Sequence, residues 1–379
     1  VDAANRVDLA QTSVELVFFD PLHNRCHRME ATALKGKRKR VADKEINLRI
    51  TTDTEDVVRR PLQLRRAIES AHSLSADALL EHFVKDVRAG RLVSKPYPSR
   101  PLGDASLLRV AQWNVNNFSG CYDGNVPDPW QIVELALSLE ADVLVLNEFY
   151  AWDDQTAVKD TFLAEGYELA FSDTDFPTLL AKRCPSIGKA RSLVFSHSKD
   201  IMAKAASGPS TCRLHRAATS CTLRLASGEA MVIYATHLNH IDGGGARREE
   251  AKAVLDDIRG RGAEAPHVLV VADFNQPRKC DYSPDEWMAL ARSAAEREEP
   301  EDDGVATLFE DDGFACSLDL SHLADRNWPV GALPPPTHWT GTVIDYSFAR
   351  GLHLRGTYVV PTLLSDHFPV VSDWSVSGT

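Results

Sequence analysis

The sequence lacks the features typical of membrane, secreted, zinc-binding, disulfide-rich, P-loop and repeat proteins. It has no apolar run near the roughly 18 residues that a membrane-spanning helix needs, and no secretory signal pattern opens it. Cys-x-x-Cys is absent and the 7 cysteines are widely spaced, which argues against a zinc site or a disulfide framework. The P-loop pattern and internal repeats are also missing. These absences favour an intracellular protein in a reducing compartment, cytoplasmic by default. An organelle or the nucleus stays open, since the first residue is Val1 and not Met.

The chain is acidic, with a net charge of -12, but the charge is unevenly distributed. Residues 1–100 carry 19 Lys and Arg against 14 Asp and Glu, and the remainder carries 23 against 40. Sequence-independent binding to duplex DNA depends on positive charge that neutralises phosphates. The acidic remainder therefore counts against a general DNA-cutting role without removing nucleic acid as a substrate.

We predict a small N-terminal module of unknown role, a proline-rich linker and one large domain, at residues 1–94, 95–106 and 107–379. In the module, alternating or β-branched residues predict strands at 14–19, 28–34 and 46–50, and helical spacing follows at 56–72 and 75–89. Strands followed by helices indicate an α+β unit.

A basic run, Lys35 to Arg40, interrupts this module. It predicts either a solvated hairpin tip or a contact with nucleic acid or another anionic partner.

In the large domain, short apolar strands alternate with amphipathic helices. Strands are predicted at 107–115, 141–146, 178–182, 192–196, 217–225, 230–237, 268–273, 343–349 and 369–376, and helices at 129–139, 246–260 and 286–298. This order predicts an α/β (α+β) fold in which two packed sheets are flanked by helices.

Polar residues interrupt the apolar runs at six places, each at or near a predicted strand end. The six polar islands are Gln112–Val115, Leu146–Phe149, Ala235–Leu238, Ala272–Asn275, Ile344–Tyr346 and Ser365–His367. Buried polar groups at strand ends are costly unless something satisfies them. We therefore ask whether these islands form one site for phosphoester chemistry.

Hydrolysis of a phosphoester needs a cation, an oriented water and fixed donors to the phosphate. Mg²⁺ prefers carboxylate oxygens, and Glu148, after a buried strand, is the main candidate ligand. Asn114 can offer its amide oxygen to the metal or its NH₂ group to an oxyanion. The alternatives are a half-exposed acid at a strand end and an Asn that forms a turn.

Asp273 and Asn275 share a face if their segment is extended. Asp273 then suits the activation of water, and Asn275 suits the holding of the nucleophile or a phosphate oxygen. His237 ends a strand, where a charged imidazole would donate to the phosphate; a structural histidine is the alternative.

His367 needs a carboxylate to fix its tautomer. Its sequence neighbour Asp366 is badly placed for that bond, so we expect Asp345 to be the partner and Asp366 to face the metal or the water.

The six islands, in this order, resemble the endonuclease/exonuclease/phosphatase superfamily, to which pancreatic deoxyribonuclease and the apurinic-site endonucleases belong. The resemblance covers about residues 107–374 and implies a four-layered αββα sandwich of two mixed sheets that uses Mg²⁺ or Mn²⁺. It implies that Asn114 and Glu148 are the metal-site pair and that Asp366 belongs with His367 to the closing Ser-Asp-His motif, in which we place Asp366 at the metal. The implied catalytic residues are His237, Asp273, Asn275, Asp345 and His367.

The sequence departs from the superfamily pattern at two positions. Ala272 replaces the glycine before D-x-N, and Asn147 replaces the Gln before the metal-binding Glu. The longer signatures of inositol 5-phosphatases do not match. The segment Thr337–Gly341 resembles an aromatic loop beside the substrate in several members, which makes His338 and Trp339 candidate substrate contacts; a core role is the alternative for Trp339.

The leading hypothesis is a Mg²⁺-dependent phosphodiesterase that acts on a nucleic acid or a nucleotide ester. A phosphomonoesterase acting on a small anionic phosphate is the first alternative. A non-catalytic subunit or scaffold that keeps the fold is the second. The pattern does not predict an oligomeric state.

Overall fold

The computed structural model describes the chain in separate ranges. They are residues 13–20, 25–33, 46–53, 107–121, 129–149, 155–171, 178–195, 216–240, 244–262, 266–296, 304–319 and 333–376. The chain divides into two compact units, Val1–Pro98 and Ser99–Thr379. This division falls within 95–106, which lies outside the described residues, so the linker and the domain assignment stay predictions.

The first unit contains a three-stranded antiparallel sheet. Its strands are β1 (Ser13–Asp20), β2 (Arg25–Ala33) and β3 (Ile46–Asp53), with β2 in the middle. The three predicted strands are thus confirmed. The predicted helices at 56–72 and 75–89 and the basic run at 35–40 lie outside the described residues.

The second unit contains two six-stranded mixed sheets. Sheet I has the spatial order β14 (Leu352–Val359), β15 (Val370–Val376), β4 (Leu107–Asn114), β5 (Val143–Asn147), β7 (Leu179–Lys182) and β6 (Glu168–Phe171). Sheet II has the order β12 (Ala315–Cys316), β13 (Asp345–Arg350), β11 (His267–Asp273), β10 (Ala230–His237), β9 (Ala217–Arg224) and β8 (Ser186–Val194). Each sheet has one parallel pair at its centre, β4 with β5 and β10 with β11.

Five α-helices occur among the described residues of this unit. They are α1 (Pro129–Ser138), α2 (Gln155–Ala164), α3 (Gly244–Arg261), α4 (Pro284–Glu296) and α5 (Val305–Asp311). None is both long enough and apolar enough to cross a membrane.

Local sequence explains where several of these helices begin and end. Helix α1 starts with a proline, whose missing N–H costs nothing at that position. Ser283 and Glu286 form a reciprocal capping box at the start of α4. Helix α3 continues past Gly260, the residue at which we expected it to end, and Gly262 behind it takes the left-handed conformation.

The two sheets pack face to face around one apolar core, which confirms the predicted sandwich. Strand alternation explains this core, because residues i and i+2 share a face. The core includes Leu108 and Val110 of β4, Val143 and Val145 of β5, Ile233 and Ala235 of β10, and Leu269 and Val271 of β11. The inner face of each central strand is therefore apolar for most of its length.

The same alternation continues into polar residues where the central strands end. Two residues beyond the last core position of its strand lie Gln112 on β4, Asn147 on β5, His237 on β10 and Asp273 on β11, and Asn114 lies two residues further along β4. All five are at least 97% buried. The candidate site is therefore the polar end of the core between the sheets.

The sequence analysis did not predict α2, α5, β6, β12 or β14. The sequence analysis placed Ser365–His367 at or near a predicted strand end, but β14 ends six residues before this tripeptide, at Val359, and β15 begins after it, at Val370. The tripeptide lies in an irregular loop, where isolated bridges pair Ser365 with Gly120 and His367 with His338.

Candidate active site

Register within the sheets brings the strand ends together. Asn114 pairs with Asn147 across the parallel β4–β5 contact, and His237 pairs with Asp273 across the parallel β10–β11 contact. Asp345, the first residue of antiparallel β13, also pairs with Asp273. Backbone pairing thus joins two islands in sheet I and three in sheet II, and side-chain hydrogen bonds between the packed sheets, such as Asn114 to Asp273, bring the two groups together. The loop that holds His367 supplies the sixth island.

Glu148 is held at the mouth of the site by two amides. Asn114 Nδ2 donates to Glu148 Oε1 at 3.1 Å and Asn117 Nδ2 donates to Oε2 at 2.9 Å. The residue lies just after β5 with a φ of 53°, a left-handed conformation that turns the chain sharply. Burial raises the pKa of the Glu148 carboxyl, and the bond from Asn114 opposes this effect.

Asp273 is fully buried and lies at the centre of the site. Its Oδ1 accepts the backbone N–H of Asn275 at 2.9 Å and its Oδ2 accepts Asn114 Nδ2 at 2.9 Å. Burial, and then the charge of Asp345, raise the pKa of Asp273 to about 7.

His367 is paired with Asp345, the partner that the sequence analysis favours. His367 Nδ1 lies 2.9 Å from Asp345 Oδ2, and His367 Nε2 lies 3.7 Å from Asp273 Oδ2. Burial alone would lower the pKa of His367, but the charges of Asp345 and Asp273 outweigh it and hold that pKa well above its ordinary value. The imidazole is therefore cationic at neutral pH.

His237 faces both acids but carries no charge of its own. Its Nε2 lies 3.5 Å from Asp273 Oδ2 and 3.8 Å from Glu148 Oε1. Complete burial, and then the positive charge of Arg216, hold the pKa of His237 well below its ordinary value. This direction favours a neutral His237 that donates one N–H, whereas the sequence analysis expects a charged imidazole here. The raised pKa of His367 favours the charge there.

Asn275 reaches the site through a turn, which corrects the expectation of an extended D-x-N segment. Strand β11 ends at Asp273, and Asn275 has a φ of 51°. Its backbone N–H donates to the Asp273 side chain, as in an Asx-turn. Its Nδ2 donates to the Leu238 carbonyl at 3.0 Å, so Asn275 ties the D-x-N turn to the segment that follows His237.

Asp366 and His338 form the outer wall of the site. His338 Nε2 lies 3.7 Å from Asp366 Oδ2, and the His338 ring packs edge to face against His367 with centroids 4.6 Å apart. Burial would raise the pKa of Asp366, but the neighbouring His338 Nε2 and the charge of His367 lower it. Trp339, half-buried, donates its backbone N–H to the Asp366 carbonyl at 2.8 Å.

Sequence reasoning missed two buried amides that join the sheets at the site. Gln112 Nε2 donates to Asp345 Oδ1 at 2.8 Å and to Asn147 Oδ1 at 3.0 Å. Asn147 Nδ2 in turn donates to the Thr236 carbonyl at 2.8 Å, and its Oδ1 accepts the Asp273 N–H at 3.2 Å. The available signal was their position, two residues from core positions on strands that carry site residues.

The oxygen donors of the site suit a hard divalent cation. Glu148 and Asp366 offer partly exposed carboxylates, with side-chain exposures of 15% and 24%, and Mg²⁺ prefers such ligands. Two triads in the described chain have possible ligand atoms within 4.8 Å of one another, His338 with Asp366 and His367, and Asp273 with Asp345 and His367. Glu148 belongs to neither triad. Asn114 turns its NH₂ group towards Glu148 and its oxygen towards the Asn116 N–H, so in this orientation it positions the acid.

A comparison with known protein families matches the part of the chain that contains these residues. The profile of the Endonuclease/Exonuclease/phosphatase family matches residues 111–367. This range begins in β4, just before Asn114, and ends at His367, so it spans all six islands. No curated protein matches the sequence.

Two solved structures illustrate the shared fold. An endonuclease/exonuclease/phosphatase from Beutenbergia cavernae is 19% identical, covers 72% of each chain and superposes with a TM-score of 0.53. ANGEL2, described as a 2′,3′-cyclic phosphatase in complex with adenosine-2′,3′-vanadate, is 14% identical over 72% of this chain and 96% of its own, with a TM-score of 0.50.

Proposed function

Because this chain belongs to the Endonuclease/Exonuclease/phosphatase family, whose members hydrolyse phosphoesters, we propose that it is a Mg²⁺-dependent phosphodiesterase. The proposed substrate is a nucleic acid or a nucleotide ester. One observation carries the proposal. The ends of β10 and β11 and the loop holding His367 place the imidazoles of His237 and His367 within 4 Å of the buried Asp273 carboxylate. Asp345, at the start of β13, bonds the other ring nitrogen of His367.

Asp273 orients and deprotonates the attacking water. Donors from Asn275 and Asn114 fix both of its oxygens, so the carboxylate has one orientation. Each oxygen keeps a lone pair that can accept a proton from water. A base held in this way does not have to reorganise during the reaction, which is the source of most electrostatic catalysis.

His367 and His237 bind the phosphate. Asp345 accepts from His367 Nδ1, which leaves the His367 Nε2–H as the donor into the site. His237 Nε2 lies beside the same Asp273 oxygen as His367 Nε2, so both donors can reach one phosphate held next to the base. The positive charge of His367 opposes the negative charge that builds up on the phosphate oxygens in the transition state.

Glu148 and Asp366 would hold the cation, with Asn114 and Asn117 fixing the Glu148 carboxylate. A bound Mg²⁺ supplies charge neutralisation at the phosphate and the leaving group. Mn²⁺ prefers similar oxygen ligands.

The test is a substrate panel with Mg²⁺, with and without EDTA. The panel contains single- and double-stranded DNA, RNA, bis(p-nitrophenyl) phosphate, p-nitrophenyl phosphate and inositol phosphates, with His367→Ala as the inactive control. We expect diester cleavage that EDTA and His367→Ala both abolish. Turnover of monoesters alone would replace the proposal with a phosphomonoesterase. A folded protein that cleaves nothing would favour a binding or scaffold role.

Metal binding can be measured separately from turnover. If Mg²⁺ binds the folded state and not the unfolded state, it raises the thermal midpoint. At a free Mg²⁺ concentration of about 100 times the Kd, binding adds about 2.7 kcal/mol to the free energy of unfolding. We expect Mg²⁺ to raise the midpoint of the wild type and to have a much smaller effect on Glu148→Gln. An equal rise in both proteins would exclude Glu148 as a ligand.

A further inference from the structure

A buried arginine at the edge of the site holds an exposed histidine in a fixed orientation. Arg216, directly before β9, is 2% exposed, whereas His240, three residues after the end of β10, is exposed. Arg216 Nη2 lies 2.8 Å from His240 Nδ1, and Arg216 Nη1 donates to the His237 carbonyl at 3.3 Å. One guanidinium therefore contacts both His237 and His240.

The chemistry of arginine fixes the tautomer of His240. A guanidinium donates hydrogen bonds and accepts none. His240 Nδ1 must therefore be the acceptor in the contact with Arg216, and the ring proton of the neutral imidazole is on Nε2. His240 thus presents an N–H donor that does not take part in the contact with Arg216.

The His240 ring lies beside His237, one of the two histidines proposed to bind the reacting phosphate. The rings of His240 and His237 are stacked, 6.1 Å apart between centroids and 16° from parallel. His237 Nε2 is the atom that lies 3.5 Å from Asp273 Oδ2. A ligand group at His240 would therefore lie beside the group bound by His237, and not in its place.

The segment that carries His240 is held from several directions. Glu250 of α3 accepts the Asn239 N–H at 2.8 Å, and Arg247 donates to the Asn239 carbonyl at 3.4 Å. Asn275 donates to the Leu238 carbonyl. Both the backbone before His240 and its ring are therefore ordered before any ligand arrives, which lowers the entropy cost of binding.

We propose that His240 binds a second phosphate of the substrate, the one that flanks the scissile phosphodiester, and that Arg216 is the residue that positions it. This inference rests on the proposed function and extends it, because it makes a phosphate next to the reacting one a requirement for tight binding. The specificity is for a phosphorylated or polymeric nucleotide over an isolated diester. In the competing interpretation Arg216 only caps the His237 carbonyl, and His240 has no ligand.

Binding in EDTA tests the inference without turnover. The probes are the thymidine dinucleotide TpT and the same dinucleotide with a 5′-phosphate or with a 3′-phosphate. We expect the wild type to bind one of the two phosphorylated forms about tenfold more tightly than TpT, since one hydrogen bond to a charged group is worth that much or more. His240→Ala should lose this preference, and His240→Gln, which keeps a side-chain donor, should retain part of it.

The matched control is His353→Ala, which removes an exposed histidine at the opposite end of sheet I. It should keep the wild-type preference. With Mg²⁺, His240→Ala should raise KM for the preferred dinucleotide with a smaller change in kcat. Arg216→Lys, a positioning variant, should shift KM in the same direction, with its fold checked by thermal melting.

Two results would overturn the inference: no preference for either phosphorylated form in the wild type, or a preference that His240→Ala retains. Failure of the proposed function would appear in a different measurement, since the wild type would then cleave no diester in the turnover assay with Mg²⁺. In that case the preference in EDTA still decides whether His240 binds a phosphate.

Discussion

Asp273 is the residue on which the proposed chemistry depends most. Asp273→Asn keeps the shape of the side chain but removes the acceptor for a proton from water. We expect kcat to fall about 10²- to 10⁴-fold. The thermal midpoint should stay near that of the wild type, because a lost hydrogen bond is offset by relief from burial of a charge beside Asp345. Steady-state kinetics and thermal melting of the same preparation measure both quantities.

Asp160→Asn is the matched control for this substitution, since Asp160 is exposed on α2. It should leave both kcat and the midpoint unchanged. Near-normal turnover by Asp273→Asn would remove Asp273 as the group that activates water.

Asp345 acts on the substrate only through His367. In Asp345→Asn, the new NH₂ group cannot accept from His367 Nδ1 if the amide oxygen keeps its bond with Gln112. The imidazole then loses the carboxylate that fixes its orientation and charge. We expect kcat to fall about 10²- to 10⁴-fold, with a small change in KM. NMR of the His367 ring nitrogens should show an altered protonation state, and an unchanged spectrum would contradict the positioning role.

The types of the site residues could be predicted from sequence, but their geometry only in part. The pairing of His367 with Asp345 followed from the poor reach of a sequence neighbour. The turn at Asn275 did not follow, because a left-handed φ of a non-glycine residue has no clear sequence signal. The neutral state of His237 depends on burial and on Arg216, a residue 21 positions away, and a single sequence does not show that contact.

At the scale of elements, the buried central strands were predictable and the edges were not. Strands β5 and β11 are entirely buried and read as continuous apolar runs. Strand β8 lies at the edge of sheet II with mostly exposed residues, so its sequence shows little alternation and we predicted it too short. Polar residues on the inner face of β4 and β5 indicated the site. The inward-facing residues follow a period of two, and this period continues from the apolar core positions to the polar site positions.

Helix α3 is joined to β10 by a polar contact whose strength depends on pH. Tyr234 donates to Asp257 Oδ2 at 2.6 Å and Arg261 Nε donates to the same oxygen at 3.0 Å. Burial would raise the pKa of Asp257, but these donors lower it below its ordinary value of 3.8. A carboxyl with a depressed folded-state pKa stabilises the protein above its unfolded-state pKa, and this contribution is lost as the pH falls through the folded-state pKa.

We therefore expect Asp257→Asn to lower the free energy of unfolding by about 1–2 kcal/mol at pH 7 and by less at pH 3. Urea unfolding of both proteins at the two pH values measures the difference. Asp256→Asn, an exposed neighbour on the same helix, is the control. A difference that grows at low pH would show that the ionised Asp257 does not stabilise this contact.

At the scale of the whole molecule, the two faces of sheet I contribute to different properties. The inner face of β4 carries apolar core residues and then site residues, and the opposite face carries Arg109. Its guanidinium bonds Asp373 of β15 at two points, Nε to Oδ1 at 2.8 Å and Nη2 to Oδ2 at 3.0 Å, and both residues are buried. Stability and catalysis should therefore be separable on this strand.

Asp373→Asn removes the buried carboxylate that Arg109 bonds at two points, while the exposed Glu140 stays 3.9 Å from Nη1. We expect a loss of about 3–5 kcal/mol in the free energy of unfolding. The double variant Arg109→Met with Asp373→Leu removes both charges and should recover most of that loss. Because the pair faces away from the site, kcat per folded molecule should stay at the wild-type value in both variants. Guanidinium unfolding and kinetics at a temperature where each variant is folded would measure the two effects. A drop in kcat that follows the loss of stability would mean that sheet I transmits strain from one face to the other.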